Sequence, residues 1–339
     1  VKIRSVLKLS VFLIVISLMI IIAACSDNTD GEVPTVVYGG AAWLGHYPAM
    51  VGIETGIFEE EGIRVIFQGF YTSSGRMGSL ASGQLDAAST GSISAIALMA
   101  AGNKDFYVVG SQDSYDTLEG IIATKDISRV EDLKGKKLAV TFASSAHVFV
   151  LDVLEQNNID PTKDIELMNM EVYDMPTAIQ SGEIDAAAAW TPAFENLMAL
   201  DNTRLLLDDR EFSLYKEYGL GPGPDMIVLR KSFVDESPEL AQKFLRGWFR
   251  ATDFMIENPD EAAEIIADYT DLDLETQKAT LNEIKWHNLE KQHQFLVDPG
   301  SYVKGLEMLA ELLVRYGQLD EAPAVEEWIN YEILPVSLD

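Results

Sequence analysis

Cysteine is nearly absent from this chain: Cys25 is the single one in 339 residues, so no internal disulfide can form. Positive charge is also scarce. Lys and Arg number 25 against 54 Asp and Glu, for a formal net charge of −29. Phosphate contacts need a basic surface, so nucleic acid is not an expected partner. The same acidity argues against a body lying flat on anionic lipid. It suits a solvated extracellular protein, including one from a salty habitat. Histidine occurs four times, at His46, His147, His287 and His293, with no metal-ligand spacing, and no metal or cofactor is expected. A long apolar run occurs at Leu9 to Ile22, shorter than the about 20 residues a spanning helix needs.

That run follows Lys2, Arg4 and Lys8 and precedes Ala23-Ala24, the pattern of an export signal over residues 1–24. The stretch Ile22-Ala23-Ala24-Cys25 resembles a bacterial lipobox, which implies a lipid-modified Cys25 and a membrane anchor. An uncleaved anchor helix with a stray cysteine is the alternative. Ser26 to Glu32 reads as a flexible polar tether, giving a segment 25–32 outside the fold.

One phrase occurs twice: Ser82-Gly83-Gln84-Leu85-Asp86-Ala87-Ala88 and Ser181-Gly182-Glu183-Ile184-Asp185-Ala186-Ala187. Each reads as a helix end, a Gly cap and a short buried strand. Upstream lie Tyr71-Thr72 and Tyr173-Asp174; downstream lie Thr90-Gly91-Ser92 and Trp190-Thr191. Ligands of open α/β sheets sit off the carboxyl ends of strands, so two copies predict two similar lobes, each walling one side of a cleft. Chance similarity is the competing reading, since such αβ connections are common.

Between Thr35 and Gly110 the pattern reads β-α-β-α-β-α-β, which implies a mainly parallel sheet covered by helices. Strands are expected at Glu119–Thr124, Lys137–Val140, Ile165–Met170 and Leu205–Leu207. Ser144 and Ser145 are placed to start a helix running to Gln156, whose free N–H groups and positive end would suit an anion; plain capping is the bland alternative. Gly219 to Pro224 is a breaker-rich crossing segment before the strand Met226–Leu229. Asp225 stands at that strand's entry, either as a turn residue or facing the cleft. From Pro238 onward the chain is helical. Trp286-His287-Asn288 is expected in a loop, either lining the cleft or packed at the surface.

These residues resemble periplasmic solute-binding proteins of ABC importers, in the branch for taurine, aliphatic sulfonates, nitrate and thiamine-precursor pyrimidines. The likeness covers most of residues 35–320 and is most specific at Gly135 to Val140, Ser145-Ala146-His147 and the second phrase through Trp190. The taurine-binding pattern has Thr-Ala where Ser144-Ser145 stand here; its Trp and acid match Trp190 and Asp225. Arg76 departs from it, either as an exposed first-turn residue or as a partner for a second anionic group. The resemblance implies a two-lobed α/β type II fold with a two-strand hinge, lobe 1 being 33–118 plus 226–339 and lobe 2 about 119–225. It also implies a monomer that captures a small molecule and hands it to an ABC permease and its ATPase.

For a short aminosulfonate, the sulfonate needs several neutral donors, which helix starts at Thr90-Gly91-Ser92 and Ser144-Ser145 supply. The ammonium needs an acceptor, Asp225, and aromatic surface from Trp43, Tyr71, Tyr115 and Trp190. Thr72 and His147 complete the candidate binding set. Nitrate, a larger sulfonate or an aminopyrimidine are alternative ligands. A pyrimidine-synthesising enzyme is disfavoured, because the only cysteine lies at the lipid site and no Lys or His stands beside a nucleophile. A sensor or scaffold lipoprotein is the third class.

Overall fold

The computed structural model describes residues 33–70, 72–114, 118–270, 272–297 and 301–338. Cys25, the export segment and the two tyrosines Tyr71 and Tyr115 lie outside the described residues. The first strands are β1 (Thr35–Gly40), β2 (Arg64–Gly69), β3 (Ala87–Gly91), β4 (Phe106–Ser111), β5 (Asp113–Ser114) and β6 (Glu119–Thr124). They are followed by β7 (Lys137–Val140), β8 (Glu166–Asn169), β9 (Ala186–Trp190), β10 (Thr203–Asp208), β11 (Asp225–Arg230) and β12 (Lys285–Trp286). Framing helices are α1 (Ser73–Ala81), α2 (Ser92–Ala100), α3 (Ser145–Gln156), α4 (Met175–Ser181), α5 (Ser213–Tyr218), α6 (Pro238–Glu257) and α7 (Ser301–Arg315). Among the described residues no helix is long and apolar enough to cross a membrane.

The strands form two five-stranded sheets with matching plans. The first has the order β2-β1-β3-β11-β4 and the second, read from the other edge, β8-β7-β9-β6-β10. In each, four strands point one way and one is reversed. The reversed strand is β11 in the first sheet and β6 in the second. Each reversed strand is the one by which the chain enters that sheet from the other lobe, and it lies between the central strand and an edge strand. The expected mainly parallel sheets therefore hold for strand direction. By hydrogen-bonded neighbours each sheet is half antiparallel, because the reversed strand has two partners.

The repeated phrase has a mechanical reason. Gly83 and Gly182 take positive φ values of 80° and 75°, which end the preceding helices without a Cβ penalty. Asp86 then exchanges bonds with the first strand of its lobe: its N–H donates to Val37 O and its Oδ2 accepts from Val37 N, both at 2.9 Å. Asp185 does the same with Lys137, at 2.9 Å from its N–H and 2.8 Å to its Oδ2. The Asp carbonyls accept from the reversed strands, Asp86 from Arg230 N at 2.8 Å and Asp185 from Thr124 N at 3.0 Å. The carboxylate thus pairs a backbone N–H where the ladder begins. The following alanines are fully buried, and their small side chains suit a sheet covered on both faces.

The chain passes between the sheets at the residues leading to β6 and again through 209–224. Two more passages accompany this expected pair. Helix α7 packs on α5 of the second sheet's lobe, where Gly305 lies against Leu220. The chain then returns to the first sheet, where Trp328 Nε1 donates to Asn103 O at 2.7 Å and Ile329 bridges Val108. Helix α6 covers the first sheet and traps the Phe58 ring between Gly52 and Gly247, either of which would put a Cβ within 2.6 Å of that ring.

The two equivalent aspartates differ in their second oxygen. Asp86 Oδ1 receives Arg230 at 2.6 Å in a half-buried pair, whereas Asp185 Oδ1 has only Lys136 at 3.9 Å. Hydrogen bonds to a charged group are worth about 1.5–3 kcal/mol. Asp86→Ala should therefore cost about 3 kcal/mol in urea unfolding, and Asp185→Ala about half as much.

Candidate functional site

The two reversed strands each begin with an acid. Asp225 opens β11 and pairs with Gly91, the last residue of β3. Glu119 opens β6 and pairs with Trp190, the last residue of β9. Both acids are buried, at 4% and 1% exposure, so the turn-residue reading of Asp225 does not hold. The reason is register: the first rung of a reversed strand lies opposite the carboxyl end of a central strand, under the loops that cover it.

Around Asp225 stand groups from four segments. Trp43 Nε1 donates to Asp225 Oδ2 at 2.5 Å. The backbone of Gly45 approaches so closely that a Cβ there would lie 2.3 Å from Gln112 Oε1 and 2.7 Å from Asp225 Oδ2. Gln112 N donates to Asp225 O at 3.2 Å, and its side-chain amide donates to Ser89 Oγ. Ser92 N donates to Pro224 O at 3.0 Å, tying the start of α2 to the crossing segment. Thr90 Oγ1, Ser92 Oγ, Gln112 Oε1 and His46 Nε2 are buried there without a hydrogen-bond partner among the described residues.

The second lobe contributes Ser145. Its Oγ donates to Glu119 Oε2 at 3.0 Å, while Glu119 Oε1 is buried without a partner. A Cβ on Gly223 would lie 2.5 Å from Ser145 Cβ, so the start of α3 touches the crossing segment two residues before Asp225. Contacts thus run from Trp43 through Asp225 and the crossing segment to Ser145, Glu119 and Trp190.

The other candidates fall elsewhere. Ser144 Oγ is occupied by capping: it donates to Thr141 O at 2.6 Å and accepts from His147 N at 3.3 Å. The His147 ring stacks on Phe142 with centroids 4.5 Å apart and its Nδ1 meets Gln318 Nε2 at 3.3 Å, away from Asp225. Thr72 is exposed and caps α1, accepting from Gly75 N at 3.2 Å. Arg76 is not an exposed first-turn residue. It is buried, donating from Nε to Ser89 O and from a terminal nitrogen to Ser73 Oγ at 3.1 Å, because the first turn of α1 faces the end of β3. His287 is likewise buried rather than at the surface, its Nδ1 2.9 Å from Ser111 Oγ and its Nε2 3.2 Å from Ser114 Oγ. Trp286 before it pairs with Asp113 in the small β5–β12 ladder.

Charge is what sets this region apart. Burial pushes Asp225 up to about 6, against the Trp43 hydrogen bond and the Arg76 charge, which favour the carboxylate. Burial pushes Glu119 up to about 8; the Ser145 hydrogen bond opposes this and the charge of Asp225 adds to it. Asp113 is raised well above the usual carboxylate range by burial and by Asp225. Burial lowers Arg76, and burial together with Arg76 keeps His46 neutral.

Known proteins agree with this architecture. The NMT1/THI5 like family matches residues 43–262, and the chain belongs to that family. It is 31% identical over 214 residues to the taurine-binding periplasmic protein of Escherichia coli (strain K12), a match spanning 63% of this chain and 64% of that one. It is 26% identical over 299 residues to a putative aliphatic sulfonates-binding protein of Bacillus subtilis (strain 168), spanning 86% and 85% of the two chains. Its fold superposes on the crystal structure of the periplasmic aliphatic sulphonate binding protein SsuA from Escherichia coli with a TM-score of 0.74 at 20% identity, covering 88% of this chain and 92% of that one. All three are named as binding proteins, in keeping with the expectation of a receptor rather than an enzyme.

Sequence reasoning missed Gln112, Asp113, Glu119 and His46 as cleft residues. A signal for Glu119 existed. Glu119-Gly-Ile-Ile-Ala and Asp225-Met-Ile-Val-Leu are both apolar strands led by one acid. Gln112, Asp113 and His46 carried no such pattern.

For both Asp225 and Glu119 the folded pKa lies above the unfolded carboxyl value of about 4. Their contribution to stability is then full below about pH 4 and lost as pH rises through about 6 and about 8. The unliganded protein should melt at a lower temperature at pH 8 than at pH 5, and Glu119→Gln should flatten that fall in a thermal-unfolding series.

Proposed function

We propose that this chain is the solute-binding component of an ABC importer and closes its two lobes on a small aminosulfonate such as taurine. The observation that carries this reading is the set of buried hydroxyls without partners, Thr90 Oγ1 and Ser92 Oγ, at a helix start beside the buried acid Asp225. The hydroxyls and N–H groups of α2, with Ser145 of α3 from the other lobe, offer neutral donors to a weakly basic sulfonate. Asp225, with the Trp43 ring beside it, accepts from the ammonium end. A solute carrying both charges matches the site better than nitrate, because nitrate has nothing to offer the acids. Each charged hydrogen bond is worth about 1.5–3 kcal/mol. Four or five of them, less the cost of ordering, reach about −8 kcal/mol, or micromolar affinity.

Closure follows hinge motion of the kind common to two-lobed receptors, and the closed form presents the solute to a membrane permease and its ATPase. The chain acts as a monomer outside the cytoplasmic membrane, held by a lipid on Cys25 after removal of residues 1–24. Mass spectrometry of the exported protein should find a lipid on that cysteine, and Cys25→Ser should release the protein into the medium or periplasm.

The ligand assignment is tested by calorimetry. Asp225→Ala should weaken taurine by about tenfold or more, a loss of about 1.4 kcal/mol, and leave ethanesulfonate nearly unchanged. Equal losses for both ligands remove the amine role from Asp225. No binding of either ligand to the wild-type chain removes the sulfonate.

A further inference from the structure

A small cavity lies beside the site. It has room of about 20 Å³, enough for one water-sized occupant, and it is partly open to solvent. It lies under the crossing segment at Gly219–Gly221 and Pro224, and its walls include Ser111, Asp113, Ser114, His287 and Tyr302. Asp113 is 1% exposed, and both of its carboxylate oxygens are buried without a hydrogen-bond partner among the described residues. Its backbone is fixed in the β5–β12 ladder, opposite Trp286. Among the described residues, the side chain is thus held in place with neither oxygen answered.

The lining offers no cation of its own. Among the described residues that wall the cavity there is no Lys or Arg. The one ring that could carry charge, His287, is bonded to Ser111 and Ser114 and is pushed down to about 3 by burial, with Lys291 adding to the effect. What remains around Asp113 is neutral oxygen from Ser111, Ser114 and Tyr302. A buried carboxylate is costly unless paired or metal-bound. An isolated acid among hydroxyls suits one compact, singly charged cation. A divalent metal is not favoured: among the described residues no group of three or more His, Cys, Asp or Glu could hold one.

We propose that Asp113 anchors a single compact cation in this cavity, either the ammonium end of the bound solute or a free alkali ion. The first source rests on the aminosulfonate reading above; the second stands without it. In either case the occupant sits against the crossing segment through which the lobes are joined, so it couples the cavity to closure.

The test has two arms, and the salt arm needs no sulfonate. Thermal unfolding of the purified chain is compared in sodium, potassium, methylammonium and choline chloride at equal ionic strength. Choline, bulky and without N–H groups, is the control. A higher melting temperature in one of the first three than in choline, lost in Asp113→Asn, assigns the cavity to a free cation. Titration of taurine and ethanesulfonate forms the other arm. A loss of about tenfold or more for taurine alone in Asp113→Asn assigns it to the solute's ammonium. Asp113→Ser serves as the second variant should the amide not fold. Equal melting in all four salts, with no taurine-selective loss in the variant, overturns the proposal. If the wild-type chain binds neither sulfonate, the receptor reading fails by itself and the salt arm still decides the cavity.

Discussion

Two carboxyls buried at matching rungs govern the architecture around the cleft. In each sheet the reversed strand lies between the central strand and an edge strand, and its first residue faces the carboxyl end of the central strand. In this chain that first residue is acidic in both lobes, Asp225 in one and Glu119 in the other. Ordinary hydration is denied to both, and the nearby cation Arg76 is itself buried and spent partly on Ser89 and Ser73. The unliganded cleft therefore disfavours the charged forms of its acids. Desolvation outweighs the single guanidinium, which is why the acids are raised rather than lowered.

Much of the fold was legible, because periodicity and the duplicated phrase carry it. Strands and helices alternate as the apolar pattern implied, and the phrase marks the central strand of each sheet. The equivalence of Asp86 and Asp185 was visible as a repeat, but its cause was not. A carboxylate that pairs a backbone N–H 49 residues away leaves no local trace. The passage of α7 onto the second lobe was also hidden, since an amphipathic helix names the need for a partner and not which one.

The placement of the candidate residues was legible only in part, and the departures share a cause. Trp43, Thr90, Gly91, Ser92, Ser145, Trp190 and Asp225 fall along the run of contacts that links the lobes. Ser144, His147 and Thr72 do not join it: their polar atoms are used by caps and by neighbours at the rim. For Arg76 and His287 the reading drawn from average behaviour, an exposed turn or surface loop, does not hold. Burial here is decided by tertiary packing, with α1 turned toward β3 and the 287 segment closed by the β12 pairing.

The fourth passage of the chain has a mechanical consequence. Helix α7 is fastened to the second lobe at its far end, where the Tyr316 hydroxyl donates to Glu155 Oε2 at 2.8 Å and Gln318 meets His147. Ten residues beyond Gln318, Trp328 is pinned to the first sheet through Asn103. Any change in the angle between the lobes would have to be taken up by residues 319–324, which join two points anchored on different lobes.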